Sequence, residues 1–555
     1  MRKITALTTA VLMAVSVLAG CSKPTANPTA AGGTTSAAST AAEKTEDTTA
    51  AAEASRAETA AAGEVEVTDG GILKVGVRAS LSCIGYPGKI ATQQEQMAAC
   101  PAIETLGRLK DDGEIEPWLL ESYEEKPDEN KIVFHLRPDV KFTDGTPFDA
   151  DAVIWNMQTT MEAKKKKFNC DLEFVKVDDL TVELQLSQWD NSLIDWFTYS
   201  SGGYMASPAH IQKFEKVEEA YMSPVGTGPF KLASYDNDVK LVFEKNEDYW
   251  GTSHLDGIEF YLFSDVATIT AAMQTGEIDV VLGADADCAE TMIKEGYKWV
   301  SRELPTGNSI TFARVTSNNP DLPTYDLKVR QALAYGVDFD AITKPYSSKG
   351  TYVRTNQWQN PTSWAYNEEV KGYPYDVEKA KALLAEAGYG DGFTLEAYVV
   401  ATNATNKQIV EMMQAYWSQI GVTLNINLIE QTVMNEKTMT GWDGLVIGGS
   451  AGESKNAVNW MNAFTEGSGV RYACDNLDIP ELREIGERAL TATDREGMTA
   501  DLKEMQKVII DDYCAMMPIY ANSKDTFTKD YVFDTYMGYY HSSQWYPESA
   551  WMSAH

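Results

Sequence analysis

Val140-Lys141-Phe142-Thr143-Asp144-Gly145-Thr146-Pro147-Phe148-Asp149-Ala150-Asp151-Ala152-Val153 holds a strand exit, a turn and a helix start in one short stretch. Just upstream, Ile132-Val133-Phe134-His135-Leu136-Arg137 is an apolar run that stops at Pro138, a residue with no amide to give to a ladder. Asp144-Gly145 is a turn pair. Asp149 stands where an N-cap belongs, ahead of Ala152, Val153, Asn156 and Met157 at helical spacing. Working outward, the same alternation of strand and helix continues. Ile72 to Val77 reads as an apolar strand. Val182, Leu184 and Leu186 alternate with Glu183 and Gln185, Ile258, Phe260 and Leu262 repeat the pattern, and Leu424, Ile426 and Leu428 alternate with Asn425 and Asn427. Asp376 caps a helix carrying Val377, Ala380, Leu383, Leu384 and Ala387, with Gly388 at its end. Strands and helices interspersed to the end of the chain, without an internal repeat, give an α/β body.

That body begins near Gly70. Roughly 485 residues are more than one hydrophobic core serves, so two or three units are expected. The chain has 13 Trp and 27 Tyr, and no aromatic residue precedes Tyr86. Residues 22–69 are mostly Ala, Thr, Ser, Gly and Glu, a composition that cannot offset its ordering entropy, and as a flexible coil it reaches about 40 Å. Arg2 and Lys3 precede an apolar stretch from Ala6 to Leu18, of the length of a secretory h-region and too short for a stable membrane span. It closes on Leu18-Ala19-Gly20-Cys21, which resembles a bacterial lipobox and implies lipidation at Cys21. The formal net charge of −34 disfavours nucleic acid and anionic membrane surfaces as partners. The basic run Lys164 to Lys167 reads as a solvated helix end. Of the remaining cysteines, Cys83 with Cys100 is the one pair worth testing as a disulfide. Cys170, Cys288, Cys474 and Cys514 read as small buried hydrophobes.

Catalytic and metal readings are weak. Gly448-Gly449-Ser450-Ala451-Gly452 fits the G-x-S-x-G elbow of hydrolases, but only His541 and His555 follow it as a base. The five histidines show no metal-ligand spacing, and nothing calls for a cofactor. The expectation is a non-enzyme.

Pro117-Trp118-Leu119-Leu120-Glu121-Ser122, the strand to Arg137 and the block from Val140 to Phe148 resemble family 5 extracellular solute-binding proteins, the oligopeptide, dipeptide and nickel binding components of ABC importers. Three further blocks follow in the family's order. They are Val225-Gly226-Thr227-Gly228-Pro229-Phe230-Lys231-Leu232 with Tyr249-Trp250-Gly251, then Val329-Arg330-Gln331-Ala332-Leu333-Ala334-Tyr335 with Asp338, then Tyr375-Asp376 through Tyr389. The resemblance implies a periplasmic-binding-protein-like (type II) clamshell of three α/β domains around a hinge. Its parts are a signal peptide (1–20), a disordered linker (21–69), a discontinuous first lobe (70–103, 222–312 and 518–555), a small inserted domain (104–221) and a large second lobe (313–517). It implies a monomer, tethered to the membrane by lipid, that closes over a small solute and presents it to permease and ATPase subunits. A peptide is the favoured solute. The family's Gly-Trp and Asp-Pro elements, which lie near an amine-binding aspartate, are matched here only by Gly441-Trp442-Asp443, and Glu453 is the candidate replacement anion. An oligosaccharide or other polar solute stacked on Tyr86, Tyr204, Trp358, Trp442 or Trp460 is the alternative. A surface lipoprotein without a transport role is a more distant one.

Overall fold

The computed structural model describes residues 66–78, 80–110, 113–168, 170–284, 286–300, 309–315, 319–347, 352–359, 363–451, 479–522, 525–538 and 544–554. These form one compact unit from Glu66 onward. Three sheets organise it. The first has seven strands, in the order Lys298–Val300, Asp525–Thr528, Val280–Ala284, Ile72–Val77, Gly257–Leu262, Lys240–Lys245 and Phe230–Asp236. Ile72–Val77 lies parallel to both its neighbours, and the outer strands run antiparallel. The second sheet has six strands, in the order Tyr352–Arg354, Met517–Asn522, Ser309–Arg314, Gly444–Ala451, Phe393–Val400 and Val422–Ile429. Its last three are mutually parallel. The third is antiparallel throughout, in the order Leu120–Lys126, Lys131–Leu136, Thr181–Leu186 and Leu172–Asp178.

The opening stretch folds as its residues dictate. Gly145, at φ +85°, closes the turn by donating its amide to Phe142 O at 2.8 Å. Asp144 accepts from the Thr146 amide (3.0 Å) and hydroxyl (2.6 Å) with one oxygen, and from Ser207 Oγ (2.7 Å) with the other. Asp149 caps the helix Ala150–Lys164 through the Ala152 amide. Asp376 does the same for Val377–Glu386 through Lys379, and Gly388 follows at φ +87°.

Alternation holds where both faces of a strand are decided by neighbours. Val182, Leu184 and Leu186 are buried, and so are Ile258 and Phe260. It fails toward the end of Val422–Ile429, where Leu428 is 48 % exposed. That strand is the edge of its sheet, so only its first half is covered. Lys164 also departs from the solvated reading. Its ammonium donates to Ile90 O at 2.6 Å, and burial pulls its pKa down. Cys83 and Cys100 are free thiols, pushed up to about 11 and about 12 respectively, chiefly by burial. Cys288 and Cys514 are buried, while Cys170 is only half-buried.

The expected lobe boundaries 312/313 and 517/518 fall within or beside strands of the second sheet, because Ser309–Arg314 and Met517–Asn522 both pair there. Val300 is the last strand residue of the first sheet before Ser309 opens the second, and Asn522 is the last of the second before Asp525 returns to the first.

Candidate functional site: the cleft between the sheet ends

The chain's connectivity from Asn522 to Asp525 fixes where the first two sheets meet. Asn522 and Asp525 are three Cα steps apart, so they lie within roughly 11 Å of one another. Asp525 pairs beside Ala284, at the carboxyl ends of the parallel strands that finish at Val77, Leu262 and Ala284. Asn522 and Ala451 each pair with Ser309, at the carboxyl end of Gly444–Ala451 and of its parallel neighbour Phe393–Val400. The carboxyl ends of the parallel strands in both sheets therefore border one crevice. Open α/β sheets hold ligands outside such ends.

The wall from the first sheet is held rigidly. The loop after Val77 is pinned by Glu95, which accepts from the amides of Ser82, Cys83, Ala91 and Thr92 and from Ser82 Oγ at 2.5 Å. Burial raises the Glu95 carboxyl, but these bonds more than reverse it and leave it below the usual carboxylate range.

The aromatic residues singled out from the sequence divide between the two sides. Tyr86 is buried and stacks on Tyr221 at 6.1 Å, while Tyr204, 2 % exposed, belongs to the same core. Trp358 and Trp442, 2 % and 4 % exposed, share the core on one face of the second sheet. Trp358 packs on Phe312 at 5.3 Å. All four have the burial of packing residues. Glu453, Trp460 and Cys474 lie outside the described residues, as does Cys21. The segment carrying Glu453 and Trp460 follows directly on Ala451, at the crevice end of its strand.

Several residues that sequence reading passed over carry the polar framework. Glu104 is buried and takes four donors. Its Oε1 accepts from Trp118 Nε1 (2.7 Å) and Tyr249 OH (2.8 Å), and its Oε2 from Trp250 Nε1 (3.0 Å) and Thr227 Oγ1 (2.8 Å). The Tyr249-Trp250 pair read as a family signature is thus a donor pair for one carboxylate. Burial pushes the Glu104 carboxyl upward against the pull of Trp118 and of the nearby Arg108. Arg108 pairs with Glu548 at 2.7 Å between the rings of Trp118 and Tyr546. On the second sheet Arg314 is fully buried, 5.7 Å from the Trp442 ring centroid, and Tyr398 OH donates to Asp443 Oδ1 at 2.5 Å. The signal for Arg314 was available. It takes the third place in the alternating series Ile310, Phe312, Arg314, a charge where the pattern asks for an apolar side chain.

The arrangement does not supply a hydrolase elbow. Ser450 sits within the strand Gly444–Ala451, opposite Ile310. No group of three metal-ligating side chains occurs among the described residues. None of the described helices is long and apolar enough to cross a membrane.

Two α/β sheets whose parallel strands end toward one another give the fold class of a clamshell binding protein. Residues 114–471 match the model described as bacterial extracellular solute-binding proteins, family 5 middle, and the chain belongs to that family. It is 30 % identical over 441 residues to heme-binding protein A of Haemophilus influenzae, covering 73 % of this chain and 79 % of that one. It is 29 % identical over 381 residues to the dipeptide-binding protein of Escherichia coli, covering 63 % and 70 %. Among solved structures, the periplasmic binding protein DppA from Helicobacter pylori in complex with the peptide STSA superposes with a TM-score of 0.72. That match covers 87 % of this chain and 98 % of DppA at 21 % identity, a likeness of fold.

Proposed function

We propose that this chain is the substrate-binding component of an ABC importer, that it captures a peptide-type solute in the crevice, and that it catalyses no reaction. The observation that carries this reading is the convergence of strand ends from both sheets, in a chain of this family. The dipeptide-binding relative and the peptide-bound structural neighbour support the ligand class. The heme-binding relative shows that the family's scaffold serves other solutes as well, as expected when loops and not the fold set specificity.

In this reading the three sheets mark three domains: a discontinuous first lobe, a small domain at 104–221, and a second lobe that holds the sheet strands from Ser309 to Asn522. Glu453 and Trp460 contact the solute, since their segment continues from the crevice end of a strand. Tyr86, Tyr204, Trp358 and Trp442 act one layer behind, holding the walls in shape. The protein is exported, lipid-anchored at Cys21 and monomeric, and it offers the closed form to its permease.

Thermal melts test the ligand class. The panel contains di- and tripeptides, glutathione, haem, oligosaccharides and nickel salts. A solute at a hundredfold over its dissociation constant stabilises the protein by about 2.7 kcal/mol. A shift with peptides that Glu453→Gln abolishes supports the reading. A shift with sugars or haem alone overturns the ligand class, and no shift with any compound overturns the transport role.

A further inference from the structure

Among the described residues, the small domain meets the second lobe around residues 189–191 and Glu114, and the chemistry there differs from a packed core. The helix Pro480–Thr491 ends against residues 189–191. The Asn191 amide donates to Leu490 O at 3.0 Å, and Asn191 Nδ2 donates to Ala489 O at 2.7 Å and Ala492 O at 3.1 Å. Trp189 Nε1 donates to Ala492 O at 3.2 Å. Beside this junction Arg495 Nη1 meets Glu114 Oε1 at 2.7 Å, with its guanidinium 5.1 Å from the Trp364 ring centroid.

Three features separate this junction from a permanent seam. First, its acceptors are the last carbonyls of a helix, groups that water satisfies equally well when nothing docks. Donors arriving there also meet the negative end of the helix. Second, each side is ordered without the other. The Trp189 ring is buried in the small domain's own core, and Asp190 Oδ1 fixes the turn by accepting from the Ser192 amide at 2.9 Å. Two surfaces already in shape dock and part without being rebuilt. Third, Arg495 is the first residue of the helix Arg495–Lys507, behind its cap Asp494. A cation at that end works against the helix dipole, so helix stability does not account for it, whereas the Glu114 pair does.

We propose that this junction is a reversible latch between the small domain and the second lobe, made when the clamshell closes and broken when it opens. The proposal rests on the hinged-binding reading above. None of its residues is among the solute contacts proposed above, so it acts on every solute alike and sets how long the closed form lasts, not which solute is chosen.

Hydrogen exchange on the full chain, with no solute added, tests it. In the solute-free protein the Asn191 amide exchanges about a hundredfold faster than amides of the central strand Lys131–Leu136, because it is released by a sub-global opening. Arg495→Glu speeds that exchange about tenfold further by setting like charges against Glu114. Adding Glu114→Arg restores the original rate, an outcome that simple misfolding of the first variant does not produce. Exchange at Asn191 as slow as in the strand overturns the latch and makes the junction a fixed interface. An unchanged rate in Arg495→Glu, or no rescue by the swapped pair, overturns it too. Neither arm uses a ligand, so failure here leaves the proposed function standing, and a silent ligand panel leaves this result readable.

Discussion

Replacing Glu104 by Gln takes one acceptor from a carboxylate on which four neutral donors converge, and the structure allows the cost to be worked out. Each carboxylate oxygen serves one indole N–H and one hydroxyl: Trp118 with Tyr249, and Trp250 with Thr227. In Gln, one of the two oxygens becomes an amide that only donates. The hydroxyl on that side can rotate and accept from it. The indole cannot, and is left as a buried donor facing a donor. Whichever way the amide turns, one indole is orphaned, at about 1–3 kcal/mol. The charge assistance lost at the remaining bonds adds about 1 kcal/mol. The expected destabilisation is about 3 kcal/mol. Tyr249→Phe should cost less, about 1.5 kcal/mol, because Oε1 keeps the Trp118 bond. Calorimetry reads both, as a fall in the transition of the affected unit of roughly 2–4 °C per kcal/mol. A Glu104→Gln variant within about 0.5 kcal/mol of the parent, or one milder than Tyr249→Phe, would refute the accounting.

Arg330, buried in the helix Leu327–Tyr335, donates to the carbonyls of Thr324, Tyr325 and Tyr513. Arg330→Met should therefore lower stability by about 2–4 kcal/mol, measured by the same calorimetry. Gly392 sits at φ +82°, and a Cβ there would stand 1.9 Å from Gly421 O. Gly392→Ala is expected to cost at least about 2 kcal/mol, whereas Gly276→Ala, with the same kind of φ and open space around it, should cost only about 1 kcal/mol. Glu95 has a depressed pKa in the folded state, so the stability it contributes is complete above its ordinary 4.5 and is lost as pH falls from there through the lowered value. Urea melts between pH 6 and pH 3 (roughly the span of that loss) should show a steeper decline for the parent than for Glu95→Gln.

Local rules made much of the fold legible, and tertiary pairing accounts for the rest. Asp149, Asp376 and Gly145 act through neighbours two or three residues away, so their roles were readable in isolation. Leu428 was misread because alternation records which side chains match, not whether a covering element reaches the end of an edge strand. Ser309–Arg314 and Met517–Asn522, which the expected boundaries 312/313 and 517/518 divide, both pair in the second sheet. An apolar strand carries no mark of which sheet it will join, and only the pairing of Ser309 with Asn522 and Ala451 decides it. The site was harder still. Tyr86, Tyr204, Trp358 and Trp442 were chosen as amphipathic rings near turns, and a ring that packs and a ring that binds look alike in sequence. Glu104 is not marked in the sequence because its four donors come from three separate segments, at Trp118, Thr227 and Tyr249-Trp250. Arg314 was within reach, as a charge breaking an apolar series.

Small-angle scattering, with and without a pepsin digest of casein as a peptide source, tests the central claim most directly. The account predicts that the peptide mixture shrinks the radius of gyration as the lobes close, and that removing the peptides by dialysis reverses the change. A radius that stays the same in the presence of peptides that raise the melting temperature would contradict closure around the crevice as the way this protein holds its solute.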